Sequence, residues 1–263
     1  MNKTRKMVYW RYAVTLAGFT VGLLSPLQSE ATDIASDDFR HGLDQWKVEQ
    51  QDVSGSVIAK DGVLDIISPA GVTIWFRQKL QGDYEIHFTA TPVPVSFPNL
   101  PERISDLNLF WNATTAEGSD PTTLNLDGAL NSYNPLHLYY VGFGANGNKT
   151  TRLRRYDGSS ARPQIQGYAD KGEATPADAL GAPPPFARLT ANAPVEIKVI
   201  SRTATPEDES TLKFYANKIL VFSGCDPAAY LEGWFALRTT TSHFKISDFR
   251  VIPYSASELL LNN

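Results

Sequence analysis

Apolar and polar residues alternate along much of this chain with a period of two, the spacing of a half-buried strand. In the run 71–80, Val72, Ile74 and Phe76 point one way and Thr73, Trp75 and Arg77 the other. Tyr84, Ile86 and Phe88 oppose Glu85, His87 and Thr89 in the same manner. Leu107, Leu109 and Trp111 oppose Asp106, Asn108, Phe110 and Asn112. Further strands are predicted at 136–143, 150–156, 195–202, 233–239 and 243–253. Two hairpins are marked by their turns, 56–67 around Asp61-Gly62 and 210–223 around Asn217-Lys218. Many short strands, with no βαβ rhythm and no internal repeat, predict an all-β sandwich or barrel in one domain. Two long loops interrupt the pattern, 114–135 and 159–190, and loops of that length are often functional.

The first residues break the pattern. Lys3, Arg5, Lys6 and Arg11 precede an uncharged run over 12–24, followed by small residues at Ser29 and Ala31. This is the layout of a cleavable export signal over 1–31. The apolar run is shorter than the ~20 residues of a membrane span, and no later segment is apolar enough to cross a bilayer. The reading is therefore a single β-sandwich domain over 32–263, with 255–263 as a frayed tail, located in a periplasm or secreted. Cys225 is alone, so no internal disulfide is available, and it reads as a small buried residue. A formal net charge of −4 argues against a general grip on nucleic acid or anionic lipid.

Taking the faces opposite the core collects Trp75, Arg77, Asn108, Asn112, His137, Tyr139, Arg152, Arg154, Tyr156, Trp234 and Arg238. Asn146 and Asn148 join them from the Gly/Asn-rich turn that follows strand 136–143. Such a surface suits an acidic polysaccharide or oligosaccharide: rings stack on pyranoses, Asn bonds hydroxyls, and Arg forks hold a carboxylate. It also suits β-elimination on a uronic acid. There Arg152 and Arg154 would neutralise the carboxylate while His137 and Tyr139 serve as base and acid. A non-catalytic binding module would use the same face without a poised acid and base. A glycoside hydrolase would need carboxylates, of which Asp106 is one candidate. Solvated sheet arginines and tryptophans covered by the long loops are the alternatives without function. No cofactor is expected, although Asp37-Asp38-Phe39 could help hold a structural Ca²⁺ if loop carbonyls converge there.

The segments DDFRHGLDQWKVE from Asp37, DLNLFWNAT from Asp106, LYYVGFGANGNKTTRLRRYDG from Leu138 and GWFALRTTTSHFKISDFRV from Gly233 together resemble a bacterial concanavalin A-like family of unassigned function, described as polysaccharide-lyase-like. More distantly they resemble lyase-like proteins of rhamnogalacturonan-degrading systems. The resemblance covers nearly all of 32–263 and is densest from Leu138 to Gly158. It implies a jelly roll of two antiparallel sheets with a concave sugar-binding face, and an exported polysaccharide lyase as the leading activity. It also implies a basic residue before the Tyr-rich strand, where this chain reads Asn125 to Asn131 without one.

Overall fold

The computed structural model describes residues 33–174 and 179–254. The export signal and the 255–263 tail lie outside the described residues. In chain order the strands are β1 (Ala35–Asp37), β2 (Trp46–Gln50), β3 (Ser56–Lys60), β4 (Val63–Phe76), β5 (Leu80–Gln81) and β6 (Tyr84–Val93). A small hairpin follows, β7 (Val95–Phe97) with β8 (Leu100–Arg103), then β9 (Leu107–Thr114), β10 (His137–Gly144), β11 (Thr150–Asp157) and β12 (Gln164–Ala169). The chain closes with β13 (Val195–Ser201), β14 (Leu212–Ala216), β15 (Ile219–Gly224) and β16 (Glu232–Pro253). Every strand pairing is antiparallel.

Two long strands make the sandwich. The segments predicted as separate strands at 233–239 and 243–253 are one strand, β16. Its first half pairs with β9 and its second half with β6, and β4 pairs along its other edge from Ala236 to Ile246. Both strands bend at the same level. β16 turns at Thr241, whose φ is 48°, beside a register shift between Thr240 and Ser242. β4 turns at Pro69-Ala70-Gly71, where proline has no amide to donate. A bulge of this kind lets a strand pass from one sheet to another. The front sheet is therefore β12-β11-β10-β9-β16-β4-β2, and the back sheet is β15-β14-β13-β6-β16-β4-β3 with β1 beside β16.

Both predicted hairpins form in the expected register, with Lys60 opposite Val63 and Ala216 opposite Ile219. Each turn has positive φ at both central residues, Asp61-Gly62 and Asn217-Lys218, the twist that matches right-handed strands. The core lies between the sheets. Ile74, Leu109, Trp111, Val141, Leu153 and Leu237 from the front meet Leu64, Ile86, Phe88, Val199, Phe214 and Phe244 from the back. Each such side chain stabilises by about 1.5–3 kcal/mol when fully buried. Cys225, expected to be buried, is exposed, because it lies in the loop that leaves β15.

Candidate functional site

A second apolar cluster covers part of the outer face of the front sheet. Trp75, Phe110, Leu138, Tyr156, Trp234 and Ala236 come from the strands, and Tyr133 and Leu136 from the 115–136 segment laid over them. Glu49 of β2 pins that segment down. Its carboxylate accepts from Trp75 Nε1 at 2.9 Å, Tyr133 Oη at 2.9 Å and the Leu126 amide at 3.0 Å. Lys47 Nζ sits 3.2 Å away and also reaches the Thr122 carbonyl and Asn125 Oδ1. The long loop 114–135 is thus a strap with a buried charged anchor.

The strap leaves a cleft of about 510 Å³ beside it. Its floor follows from strand register. Arg152 of β11 stands opposite Gly142 of β10, Gly142 opposite Asn108 of β9, and Asn108 opposite Arg238 of β16. The adjacent row is Arg154, Tyr140, Phe110, Ala236 and Trp75. Strands lie about 4.8 Å apart, so the arginines flank a hollow over Gly142. A Cβ at Gly142 would lie 2.5 Å from Tyr140 Oη. The missing side chain is what lets the phenol lie across the floor. Arg162, Leu130, Asn146 and Thr240 complete the walls.

The electrostatics are one-sided. Arg152, Arg154, Arg162 and Arg238 line the cleft against one carboxylate, Asp106. Asp106 is buried and engaged by Arg103 at 3.0 Å and by the Ser105 hydroxyl. Burial pushes its pKa up against the opposing pull of Ser105, Arg103 and Arg238. Arg154 Nη1 donates to the Arg162 carbonyl at 2.7 Å and Arg152 Nη2 to the Ala174 carbonyl, so each fork is oriented by a backbone tether. Burial, then Arg154, lowers the pKa of Arg152, yet a guanidinium remains charged. Arg238 donates to the Thr239 and Gly128 carbonyls at 3.1 Å each. Its Nε and the Oδ1 of Asn108 find no hydrogen-bond partner among the described residues. Both atoms lie beneath the cleft surface with almost no accessible area, as does Tyr156 Oη. Tyr140 is buried too. Burial first, then Tyr156 and Asp106, raise its pKa beyond what Arg238 and Arg154 recover. Its phenol is therefore a proton donor.

Six of the residues selected from sequence meet in this cleft: Asn108, Asn146, Arg152, Arg154, Tyr156 and Arg238. The others do not. Trp75 is fully buried under the strap, and Trp234 bonds the Arg77 carbonyl at 3.3 Å and is nearly covered. Arg77 donates to the Trp46 carbonyl at 3.1 Å. Asn148 holds the Leu189 backbone through both its donor and its acceptor at 2.9 Å. Asn112 has φ 51° at a bulge, which turns it off the outer face to bond Tyr84, Ser201 Oγ and the Tyr230 carbonyl.

The expected acid–base pair of His137 and Tyr139 is likewise absent from the cleft. Tyr139 points into the main core, with its hydroxyl on Asp226 at 2.6 Å. Burial, then Asp226, raise its pKa. His137 stacks on Tyr230 at 5.6 Å, next to Arg155, which also pairs with Asp226 at 2.8 Å. The physical reason is that β10 is covered on both faces, by core and by strap, so hydrophobicity cannot assign its faces. The face taken for core carries Tyr140 and Gly142, which are the residues at the site. Arg162 was missed because it lies in a loop, with φ 48°. The Asp37-Asp38 pair was a candidate Ca²⁺ site. Asp37 instead accepts from the Phe39 amide and Trp46 Nε1, both at 2.7 Å, and no metal-ligating cluster occurs among the described residues.

A larger trough of about 1100 Å³ crosses the back sheet. Its charges are mixed, with Asp33, Asp37, Asp38, Glu196 and Asp248 against Arg40, Lys198, Lys218 and Arg250, and Arg40 lies 3.7 Å from Asp38. It shows no comparable excess of one sign.

A two-sheet antiparallel sandwich with strands shared at its corner defines a concanavalin A-like, galectin-like jelly roll. A Bacillus subtilis protein of unknown function with a galectin-like fold superposes with TM-score 0.61 at 15% identity, covering 85% of this chain and 98% of that one. The carbohydrate recognition domain of Emp46p superposes with TM-score 0.51 at 12% identity, covering 83% and 98%. That of Emp47p gives 0.50 at 13%, covering 81% and 90%. The chain belongs to the family described as "Domain of unknown function (DUF6250)", whose model matches residues 66–249. No curated protein matches the chain. Among the described residues, no helix is long and apolar enough to cross a membrane.

Proposed function

We propose that this domain is an exported glycan-binding module that holds a carboxylate-bearing sugar in the front-sheet cleft. The observation that carries this reading is the convergence of four arginines, Arg152, Arg154, Arg162 and Arg238, around the hollow over Gly142, against Asp106 as the one carboxylate among the described lining residues. Arg forks match carboxylates bidentately, and the fold is one that carbohydrate recognition domains such as those of Emp46p and Emp47p also use. Export rests on the basic and uncharged segments of 1–31, and sequencing the N-terminus of the protein recovered from the periplasm or medium tests it. Arg154→Ala is expected to weaken binding of an oligogalacturonate by about 10- to 100-fold, the worth of a hydrogen-bonded charge pair. Affinity for a neutral oligosaccharide should not change. Equal affinity of wild type and variant for the uronate, by calorimetry, would refute the assignment.

The second reading is β-elimination, favoured by the placement of Tyr140 among the arginines. Tyr140 can donate a proton to a leaving oxygen, but no histidine lines the cleft, and Asp106 is held by Arg103 and Ser105. Incubation with polyuronates is therefore expected to release no ultraviolet-absorbing unsaturated products. Their appearance, lost in Tyr140→Phe, would establish the enzyme. A hydrolase would need a second carboxylate, and Asp106 is the one lining the cleft.

A further inference from the structure

We infer that the cleft takes the end of an acidic glycan chain and not its interior. This rests on the acidic-glycan reading above and deepens it. The floor row runs from Arg152 through Gly142 and Asn108 to Arg238, and the next residue in register is Thr73 of β4. At that end the strap closes the cleft. The Gly128 carbonyl accepts from Arg238 Nη2 at 3.1 Å and lies directly over Gly71, where a Cβ would collide with it. Gly128 is equally tight. A Cβ there would fall 2.7 Å from the Gln51 amide nitrogen and 2.8 Å from the carbonyl oxygens of Glu49 and Gly71. Two glycines in van der Waals contact leave no gap through which a pyranose could pass.

The strap is fixed at this point. Gly128 follows Leu126, whose amide is held by Glu49, and precedes Tyr133, whose hydroxyl is held by the same carboxylate. Along the strand direction the cleft is bounded by Leu130, Tyr156 and Arg162 at one side and by Ala145, Asn146, Thr150 and Thr240 at the other, and the Gln51 side chain, whose Oε1 accepts from the Gly71 amide at 3.1 Å, fills the corner beside Gly71. Burial falls off in the remaining direction. Arg238 and Asn108 are 4% and 2% exposed, whereas Arg152 and Arg154 are half-buried. Among the described residues, the cleft is blind at Arg238 and opens towards β11. A chain interior needs two exits, and a blind cleft offers one. The terminal residue sits over Gly142, beside Asn108 and Arg238, and the chain leaves past Arg152 and Arg154.

The test is the stoichiometry of binding. Wild-type protein is titrated by calorimetry with galacturonate oligomers of defined length and with polygalacturonate, and in parallel with alginate fragments and polymer. End recognition predicts one module per chain at every length, and a dissociation constant per chain that changes less than about threefold from short oligomer to polymer. A number of modules per chain that rises with length overturns end recognition and leaves the acidic-glycan reading standing. Absence of binding to every uronate overturns both.

Discussion

Replacing Glu49 by Gln should cost far more than a surface change, because the carboxylate faces only donors. One oxygen accepts from Trp75 Nε1 and Tyr133 Oη, and the other from the Leu126 amide with Lys47 Nζ alongside. The Glu49 side chain is 2% exposed, so water cannot replace a lost partner. A Gln amide keeps one acceptor oxygen and, in either orientation, turns an N–H towards donors. Losing a hydrogen bond to a charged acceptor costs about 1.5–3 kcal/mol, and a stranded buried donor adds about 1–3 kcal/mol. The sum, about 2.5–6 kcal/mol, brackets the roughly 3–5 kcal/mol cost of breaking a buried charge pair. For a domain of this size each kcal/mol lowers Tm by about 2–4 °C, so Glu49→Gln should melt roughly 10 °C below wild type in a calorimetric or circular dichroism scan. Tyr133→Phe is the internal control. It deletes one donor to the carboxylate and strands no buried donor, so it should cost only that one bond, about 1.5–3 kcal/mol. A Glu49→Gln loss below about 1 kcal/mol, or no larger than that of Tyr133→Phe, would refute the view that this carboxylate anchors the strap.

Gly142→Ala would place a Cβ 2.5 Å from Tyr140 Oη and 3.0 Å from its Cζ, driving the ring into the cleft. The expected result is a stability cost of about 1–3 kcal/mol with at least a tenfold loss of uronate affinity, and unchanged affinity would show that the hollow over Gly142 is not the site. Asp208 makes acid sensitivity testable. Burial opposes its charge, but Lys213 Nζ at 2.6 Å and Ser210 hold its carboxyl down at about 2, from 3.8 unfolded. A depressed carboxyl contributes stability that is full above the unfolded value and is lost as pH falls through the folded one. Asp208→Asn should therefore flatten the decline in denaturant-measured stability between about pH 4 and pH 2 by about 1 kcal/mol after solvent screening. An unaltered slope would remove Asp208 from the acid response.

The residues collected from strand alternation divide by what covers each strand. β11 has one partly wet face, so Arg152 and Arg154 alternate with the buried Thr151 and Leu153 and can be read directly. β10 has no wet face, and its run Leu138-Tyr139-Tyr140-Val141 is apolar on both sides. Choosing Tyr139 over Tyr140 from sequence was therefore a choice between two equally buried sets. Asn112 kept the polar pattern but sits at a bulge, where one extra residue reverses the face. Glu49 gave no signal at all. Its role needs Trp75, Leu126 and Tyr133, which lie 26 to 84 residues away along the chain.

The class of fold, the two hairpins with positive φ at their turns, and the arginine face of β11 are legible in the residues alone. These follow from period-two alternation and from turn residues that tolerate positive φ, both local properties of a few consecutive side chains. That β4 and β16 each belong to both sheets, that the 115–136 segment is an anchored strap, and that Gly128 packs on Gly71 emerge only in the folded chain. Those depend on which distant segments meet, and burial from a second layer erases the alternation that would otherwise have announced it.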